Sequence, residues 1–379
     1  MIKKILISGG AGFIGSNLAL RCLRENCEVT VLDTLAPQIH GEDPEKTSPL
    51  YRSIKDKVRF IKGSVCCRED WEKALDGQDA VVHLAAETGT GQSMYKIQHY
   101  TDTNIGGTGL LLDILTNSKH TVKKLVVASS RAVYGEGRYQ CPKDGIVYPV
   151  ARNDEDMKAG DFECRCPICG THVSILPTAE DSKLHPSSIY GITKQCQEEM
   201  VLLCGAALGI PAIAFRYQNV YGPGQSLSNP YTGILSIFST QILNGNGINI
   251  FEDGKESRDF VFIDDVVDAT FRGVMNETVR NAVFNVGTGE RTDVLTVANT
   301  LIRKYGREVP VRVSGEYRVG DIRHNFIDVT PIRTQLGFEP QWNLERGITA
   351  FADWVKTQEV HEDKYAESIK EMKERGLYK

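Results

Sequence analysis

The sequence predicts an α/β protein: a doubly wound parallel sheet, a smaller irregular lobe and a cysteine-bearing insertion. Three observations predict it. The first 33 residues run strand, glycine turn, helix, strand, acid. Short β-branched runs then alternate with helical stretches, which is the pattern of a parallel sheet covered on both faces. Between residues 136 and 186 that alternation stops, and four of the ten cysteines gather there. A chain of 379 residues is long enough for a large α/β domain with an appended lobe.

The opening strand is KKILISGG, a short apolar run that ends in glycines. GGAGFIG follows, then SNLALRCLREN with helical apolar spacing, then EVTVLD. Gly9, Gly12 and Gly15 stand three apart. That spacing suits a tight turn, close backbone approach to a pyrophosphate, and a helix whose N-terminus faces the phosphates. This is the Rossmann-like order. Asp33 ends the second strand, where a carboxylate accepts hydrogen bonds from ribose hydroxyls and repels an added 2′-phosphate. Thr34 and Leu35 follow, with no arginine to welcome that phosphate. The expected cofactor is therefore NAD rather than NADP.

Further strands are expected at VRFIKG (58–63), AVVHLAA (80–86), KLVVASS (124–130) and PAIAFRY (211–217), then DFVFIDD (259–265) and AVFNVG (282–287). Residues 1–215 and 259–289 are assigned to the nucleotide-binding domain, with 136–186 inserted in it. Residues 216–258 and 290–356, rich in Gly, Asn and Pro loops, are assigned to the smaller lobe. The charged tail 357–379 reads as an exposed helix.

Composition excludes several classes. A net charge of −5 gives no basic face for tracking phosphates, so no nucleic-acid partner is expected. No apolar run reaches the length of a membrane span, and the N-terminal apolar stretch is too short for a signal peptide. Cys22, Cys27, Cys66, Cys67, Cys196 and Cys204 are scattered, as reduced thiols of a cytoplasmic protein would be.

SSIYGITK places Tyr190 and Lys194 four apart, on one face of a helix. An ammonium beside a phenol favours phenolate, which makes the tyrosine a base near neutrality. Upstream, VVASSRAVYGEG sets Ser129 and Ser130 at the end of a strand, where a hydroxyl bridges substrate oxygen and phenol.

The clustered cysteines fall in two segments of parallel form, CPKDG (141–145) and CPICG (166–170). Two facing knuckles make a tetrahedral zinc ribbon. Cys141, Cys166 and Cys169 supply three ligands, and Asp144, Cys164 or His172 the fourth. The alternative is a ribbon of free thiols without metal.

With GGAGFIG, HLAAETGTGQS, TNIGGT, SSRAVYGEG, YGITK, RYQNVYGPG, RDFVFIDD and FNVGTG in place, the chain resembles the extended short-chain dehydrogenase/reductase superfamily, in its nucleotide-sugar epimerase/dehydratase branch. The resemblance covers residues 1 to about 356, the insertion excepted. It implies Ser130, Tyr190 and Lys194 as the catalytic set, with Tyr190 and Lys194 also near the cofactor. It implies Phe13, Ile14, Ser64, Val65, Leu84, Ala85, Ala86 and Asn104 on the cofactor side. It implies Thr88, Ser93, Ser130, Asn219, Arg258 and Arg318 on the side of a nucleotide-diphosphate sugar, and a homodimer. An arginine fork also suits phosphate oxygens on chemical grounds.

One departure narrows the reaction. Dehydratases of this branch carry an Asp-Glu pair after the strand-end hydroxyl residue; here Arg131 and Ala132 stand there. Neither serves as a general acid or base near neutrality. Oxidation and re-reduction at one carbon remains, which is epimerisation, with a net 4-ketosugar reductase as the alternative. The cysteine-bearing excursion further resembles that of the dTDP-L-rhamnose 4-epimerases, which make dTDP-6-deoxy-L-talose. A UDP-sugar 4-epimerase is the nearest rival expectation, and a non-catalytic NAD-binding scaffold is the rival from another class.

Overall fold

The computed structural model describes residues 2–227, 229, 233–318, 320–359, 363 and 365–379. Seven parallel strands form its centre: β1 (Lys4–Ser8), β2 (Glu28–Asp33), β3 (Arg59–Lys62), β4 (Ala80–His83), β5 (Lys124–Ser130), β6 (Ala212–Tyr217) and β7 (Ala282–Val286). Their spatial order is β3-β2-β1-β4-β5-β6-β7. Ile5 pairs with Val29 on one side and Ala80 on the other. The strand order reverses between β1 and β4, and ligands of open α/β sheets bind at that switch point, beyond the strand C-termini.

These strands read as near-continuous apolar runs because both faces are covered. Ile5, Ile7, Val29, Val31, Val82 and Val126 belong to one core layer, and Leu6, Leu32, Val81, Leu125 and Val127 to the other. Helix α1 (Phe13–Arg24) covers the first face; helix α2 (Ile189–Leu208), through Val201, contributes to the second.

The segment 259–265 departs from expectation. Phe260–Phe262 is a strand, but it pairs with Asn219–Tyr221 outside the central sheet, and helix α3 (Ile263–Met275) begins at once. The apolar run DFVFI is shared between a short strand and the first turn of a helix, which periodicity cannot separate over so few residues.

The insertion leaves the sheet after Ser130 and builds its own three-stranded antiparallel sheet from Tyr139–Cys141, Gly145–Val147 and Ser174–Ile175. Its small core is Tyr139, Cys141, Val147, Cys164, Cys166 and Val173. It docks on the second lobe through charge. Arg323 is fully buried and meets Glu163 of the insertion at 2.6 Å, with Glu252 at 2.9 Å and Asp253 at 2.6 Å. Arg152 of the insertion reaches Glu252 at 2.8 Å.

The tail corrects the reading of an exposed helix. Tyr365–Glu374 is helical, but Met372 and Tyr378 are buried against Phe251. Tyr365, Ile369 and Met372 form a stripe at helical spacing among the lysines and glutamates, and that stripe packs. Lys379 and Tyr317 exchange backbone hydrogen bonds of 2.9 and 3.0 Å. Among the described residues no helix is long and apolar enough to cross a membrane.

Candidate active site

A cleft of about 1520 Å³ opens over the C-terminal ends of the central strands. Its floor at β1 is the glycine turn. A Cβ on Gly15 would lie 2.3 Å from the Gly9 carbonyl oxygen, so the turn closes onto α1 only with glycine there. Gly9, Gly12, Phe13, Ile14 and Gly15 all line the cleft, as do Asp33, Ser64, Val65 and the run Leu84, Ala85, Ala86. The Asp33 carboxylate accepts from the Ala11 amide at 3.0 Å and the Leu35 amide at 2.8 Å, so it braces the turn as well as facing the cleft.

His40 stands beside it, with Nε2 3.9 Å from Asp33 Oδ1 and Nδ1 2.8 Å from Ser48 Oγ. Burial pushes the His40 imidazole below its usual pKa, with the Asp33 charge opposing. Ser129 Oγ and Asn219 Oδ1 are buried without a hydrogen-bond partner among the described residues, although both residues line the cleft. Orphaned polar atoms at such a switch point fit a dinucleotide and its partner substrate.

Asn104 is not brought to the cleft. It is fully buried, donates to the Glu87 carbonyl at 3.1 Å and Thr193 Oγ1 at 2.9 Å, and accepts from the Glu87 amide at 2.8 Å. It ties the loop after β4 to α2. Ser93 is likewise buried, its hydroxyl given to the Thr90 carbonyl at 2.6 Å, whereas Thr88 lines the cleft.

Strand β5 delivers Ser130 and helix α2 delivers Tyr190 and Lys194 to the same wall. Ser188 caps α2 by accepting from the Gly191 amide at 3.1 Å. A Cβ on Gly191 would lie 2.6 Å from the Ala132 carbonyl oxygen, so glycine lets the helix close on the turn after Ser130. Burial raises the Tyr190 pKa; the Ser130 hydroxyl and the Arg131 charge pull it back.

The Lys194 ammonium bonds Gln197 Oε1 at 2.8 Å. A spacing of four puts both residues on one face, but a long lysine stem reaches other acceptors. Burial lowers the Lys194 pKa to about 7, opposed by Glu198.

The arginines divide. Arg258 spends its guanidinium on the Ser257, Arg323 and Ile322 carbonyls, at 2.9, 3.0 and 2.7 Å, and on Asp321 at 3.1 Å. It is buried and is not among the residues that line the cleft. Arg318 meets Asp321 at 2.5 Å and lines a neighbouring cavity of about 130 Å³. Asn219 lines the main cleft. Sequence reasoning passes over His40 and the cleft-lining Trp354, Thr357 and Gln358, because nothing local marks them. It treats Arg131 only as a poor acid or base; adjacency to Ser130 is the one signal it carries.

In the insertion, ligand atoms of Cys141, Asp144, Cys166 and Cys169 lie within 4.8 Å of one another. Asp144 Oδ2 is 3.2 Å from Cys141 Sγ and 3.1 Å from Cys166 Sγ. Backbone amides of Lys143 and Ile168 donate to the Cys141 and Cys166 sulfurs, each at 3.4 Å. Cys164 and His172, the other candidates for a fourth ligand, stand apart. The Cys164 thiol donates to Tyr139 Oη at 3.4 Å, and His172 lies 3.6 Å from Asp161.

Comparison with known proteins agrees with this architecture. The family model described as the NAD dependent epimerase/dehydratase family matches residues 5–153 and 166–287. A dTDP-L-rhamnose 4-epimerase of Burkholderia thailandensis is 36% identical, over 93% of this chain and 95% of its own length. A putative UDP-glucose 4-epimerase of Methanocaldococcus jannaschii is 29% identical over 93% of this chain and 98% of its own. The crystal structure of UDP-glucuronic acid 4-epimerase from Bacillus cereus, in complex with UDP-glucuronic acid and NAD, superposes with a TM-score of 0.75. It is 26% identical and covers 93% of this chain and 99% of that one.

Proposed function

Since the chain belongs to the NAD dependent epimerase/dehydratase family, we propose that it is a nucleotide-sugar 4-epimerase. Its proposed substrates are dTDP-L-rhamnose and dTDP-6-deoxy-L-talose, interconverted with NAD held throughout. One observation carries the reading: Ser130 and Tyr190 line one cleft, and the positions after Ser130 are Arg131 and Ala132 rather than an acid–base pair. The Burkholderia relative supports the dTDP-6-deoxyhexose.

In this reading Tyr190 takes the proton of the sugar 4-hydroxyl while Ser130 holds the oxygen by a hydrogen bond. NAD, when bound, supplies reversible hydride acceptance. The glycine turn, Asp33 and the Leu84–Ala86 run would hold it. The 4-keto sugar presents its other face, and Tyr190 returns the proton to the same oxygen. Atoms and electrons balance over the cycle, so no cofactor is consumed.

The test is incubation with dTDP-L-rhamnose, no cofactor added, followed by proton NMR. Appearance of the C4 epimer is expected. Silence even with added NAD would overturn the substrate. A UDP-sugar is the second reading, favoured by the UDP complexes among the solved relatives, and conversion of a UDP-hexose in the same assay would establish it.

Two further assignments belong to the proposal. Zinc binds Cys141, Asp144, Cys166 and Cys169: three sulfurs and one carboxylate oxygen make a tetrahedral set, and the two amide–sulfur bonds favour thiolates. The chain pairs with a second copy. Leu203, 73% exposed, and Ile192 are exposed large apolar side chains of α2, and exposed apolar surface on one helix favours a self-complementary contact. Light scattering that gives a monomer mass would exclude the pair.

A further inference from the structure

We propose that Gln197 is a positioning residue of the reaction: its side-chain oxygen holds the Lys194 ammonium at the cleft wall and leaves that charge without a paired carboxylate. The inference rests on the nucleotide-sugar reading above and adds a residue and a role to it.

Spacing on α2 sets up the choice of partner. Glu198 stands four residues beyond Lys194, where an ion-pair partner on a helix is expected. Both Glu198 oxygens go instead to Arg216, at 3.0 and 2.5 Å. The ammonium turns to Gln197, three residues on, whose Oε1 accepts from Lys194 Nζ at 2.8 Å. Among the described residues Nζ makes no other hydrogen bond and no ion pair. Two of its three donors therefore remain for acceptors in the cleft that Lys194 lines.

The Gln197 amide fits one way round. An ammonium only donates, so the atom that faces it is oxygen. The amide nitrogen then donates to Thr108 Oγ1 at 2.8 Å and lies 3.3 Å from His83 Nε2. Thr108 gives its own hydrogen to the Asn104 carbonyl at 2.6 Å, so toward Gln197 it only accepts. His83 Nε2 is 2.9 Å from Thr108 Oγ1, and its Nδ1 is 2.7 Å from Ser8 Oγ, which accepts from the Ala85 amide at 3.4 Å. Gln197, Thr108 and Ser8 are fully buried and His83 nearly so. One buried polar chain thus runs from the ends of β1 and β4 to α2, and it fixes the oxygen that receives Lys194.

A neutral acceptor orients the ammonium without cancelling its charge. Of the groups around it, Glu198 on α2 and Arg216 on β6 answer each other. Burial, with the Lys194 charge, lowers the pKa of His83 on β4 to about 3, so that ring is neutral. Arg131 and Tyr190 stand on the cleft wall. Burial alone works against the ammonium and brings Lys194 to about 7, opposed by Glu198. A hydrogen bond accepted by Gln197 favours the charged form against that burial. The charge is thereby kept for electron-rich groups that enter the cleft.

The experiment compares wild type, Gln197→Met and Gln197→Glu as NAD-loaded proteins with carbon-13-labelled lysine side chains, titrated by NMR. Lys194→Met identifies the Lys194 signal. Gln197→Met keeps the shape and removes the oxygen, so Lys194 should lose about 10- to 100-fold in proton affinity, the worth of one hydrogen bond to a charged group. Gln197→Glu sets a carboxylate beside the ammonium and should raise that affinity by about 10-fold or more. In Gln197→Met bound NAD should be lost on dilution about 10-fold faster, and kcat should fall about 10-fold while KM for the nucleotide sugar holds. A change that only disturbed packing would not move the two titrations in opposite directions. An unchanged Lys194 titration in a folded variant, shifts of the same sign in both, or an unchanged kcat in Gln197→Met overturns the role. Should Gln197→Met not fold, the sign of the shift in Gln197→Glu decides. Wild type that converts neither dTDP-L-rhamnose nor a UDP-hexose, with the titrations still opposed, overturns the epimerase reading and leaves Gln197 as the holder of Lys194.

Discussion

Arg216 and Glu198 form a buried fork-to-carboxylate pair, with Nε–Oε2 at 3.0 Å and Nη2–Oε1 at 2.5 Å. Glu198 lies one helical turn beyond Lys194 on α2, and Arg216 lies on β6, so the pair fixes the helix that carries Tyr190. The remaining Arg216 donors go to Tyr134 Oη at 2.7 Å and the Glu180 carbonyl at 2.8 Å. Breaking one partner leaves the other charge buried. Glu198→Gln or Arg216→Met should therefore cost about 3–5 kcal/mol in urea unfolding. The double variant Glu198→Gln/Arg216→Met should cost less than the sum of the singles; strict additivity would show that the pair is not coupled.

Tyr190→Phe tests the base. The hydroxyl is lost but the ring still packs, so folding and NAD content should match wild type. Turnover should fall by about 10²- to 10⁴-fold, the usual worth of a positioned acid–base group. NMR conversion assays on protein of matched NAD content would check this, and retained turnover would move the base elsewhere.

Lys194 should make the cofactor-free protein's stability depend on pH. Its folded pKa is lowered to about 7 by burial, against about 10.4 in an unfolded chain. Between those values the unfolded state holds a proton that the folded state has shed, so stability rises with pH across that window. Below pH 7 both states are protonated and the full cost of the buried ammonium is present. Lys194→Met should thus be more stable than wild type at pH 6, and the difference should shrink toward pH 10. Parallel stability–pH curves for the two proteins would refute the assignment.

The cysteine cluster should hold about one zinc per chain by elemental analysis of protein purified without chelator. Cys169→Ala and Asp144→Ala should lose it, because both remove an atom of the four-ligand set. Cys164→Ala and His172→Ala should keep it. Zinc retained in Asp144→Ala but lost in His172→Ala would reverse the choice of fourth ligand.

Much of the sheet was legible because its order is written locally. KLVVASS and PAIAFRY became β5 and β6 almost residue for residue, since a fully buried parallel strand must be apolar along its whole length. The tail was less legible: its charges dominate composition, and the packed stripe of Tyr365, Ile369 and Met372, of which Met372 is buried, is only three residues. DFVFIDD is not a single strand, because a strand of three residues runs directly into a helix.

By itself the sequence determined the glycine turn, Asp33 at the end of β2, the strand-end Ser130, and Tyr190 and Lys194 on one helix, because each depends on spacing within a single strand–turn–helix unit. Tertiary structure alone decided how donors and charges are spent. Arg258 turns inward onto three carbonyls, Arg131 is left open to the cleft, Lys194 reaches Gln197, and Asp144 joins the three cysteines while Cys164 and His172 do not. Those outcomes turn on distances of a few ångströms between residues far apart in the chain, and a hydrogen bond or ion pair exists only where such distances close.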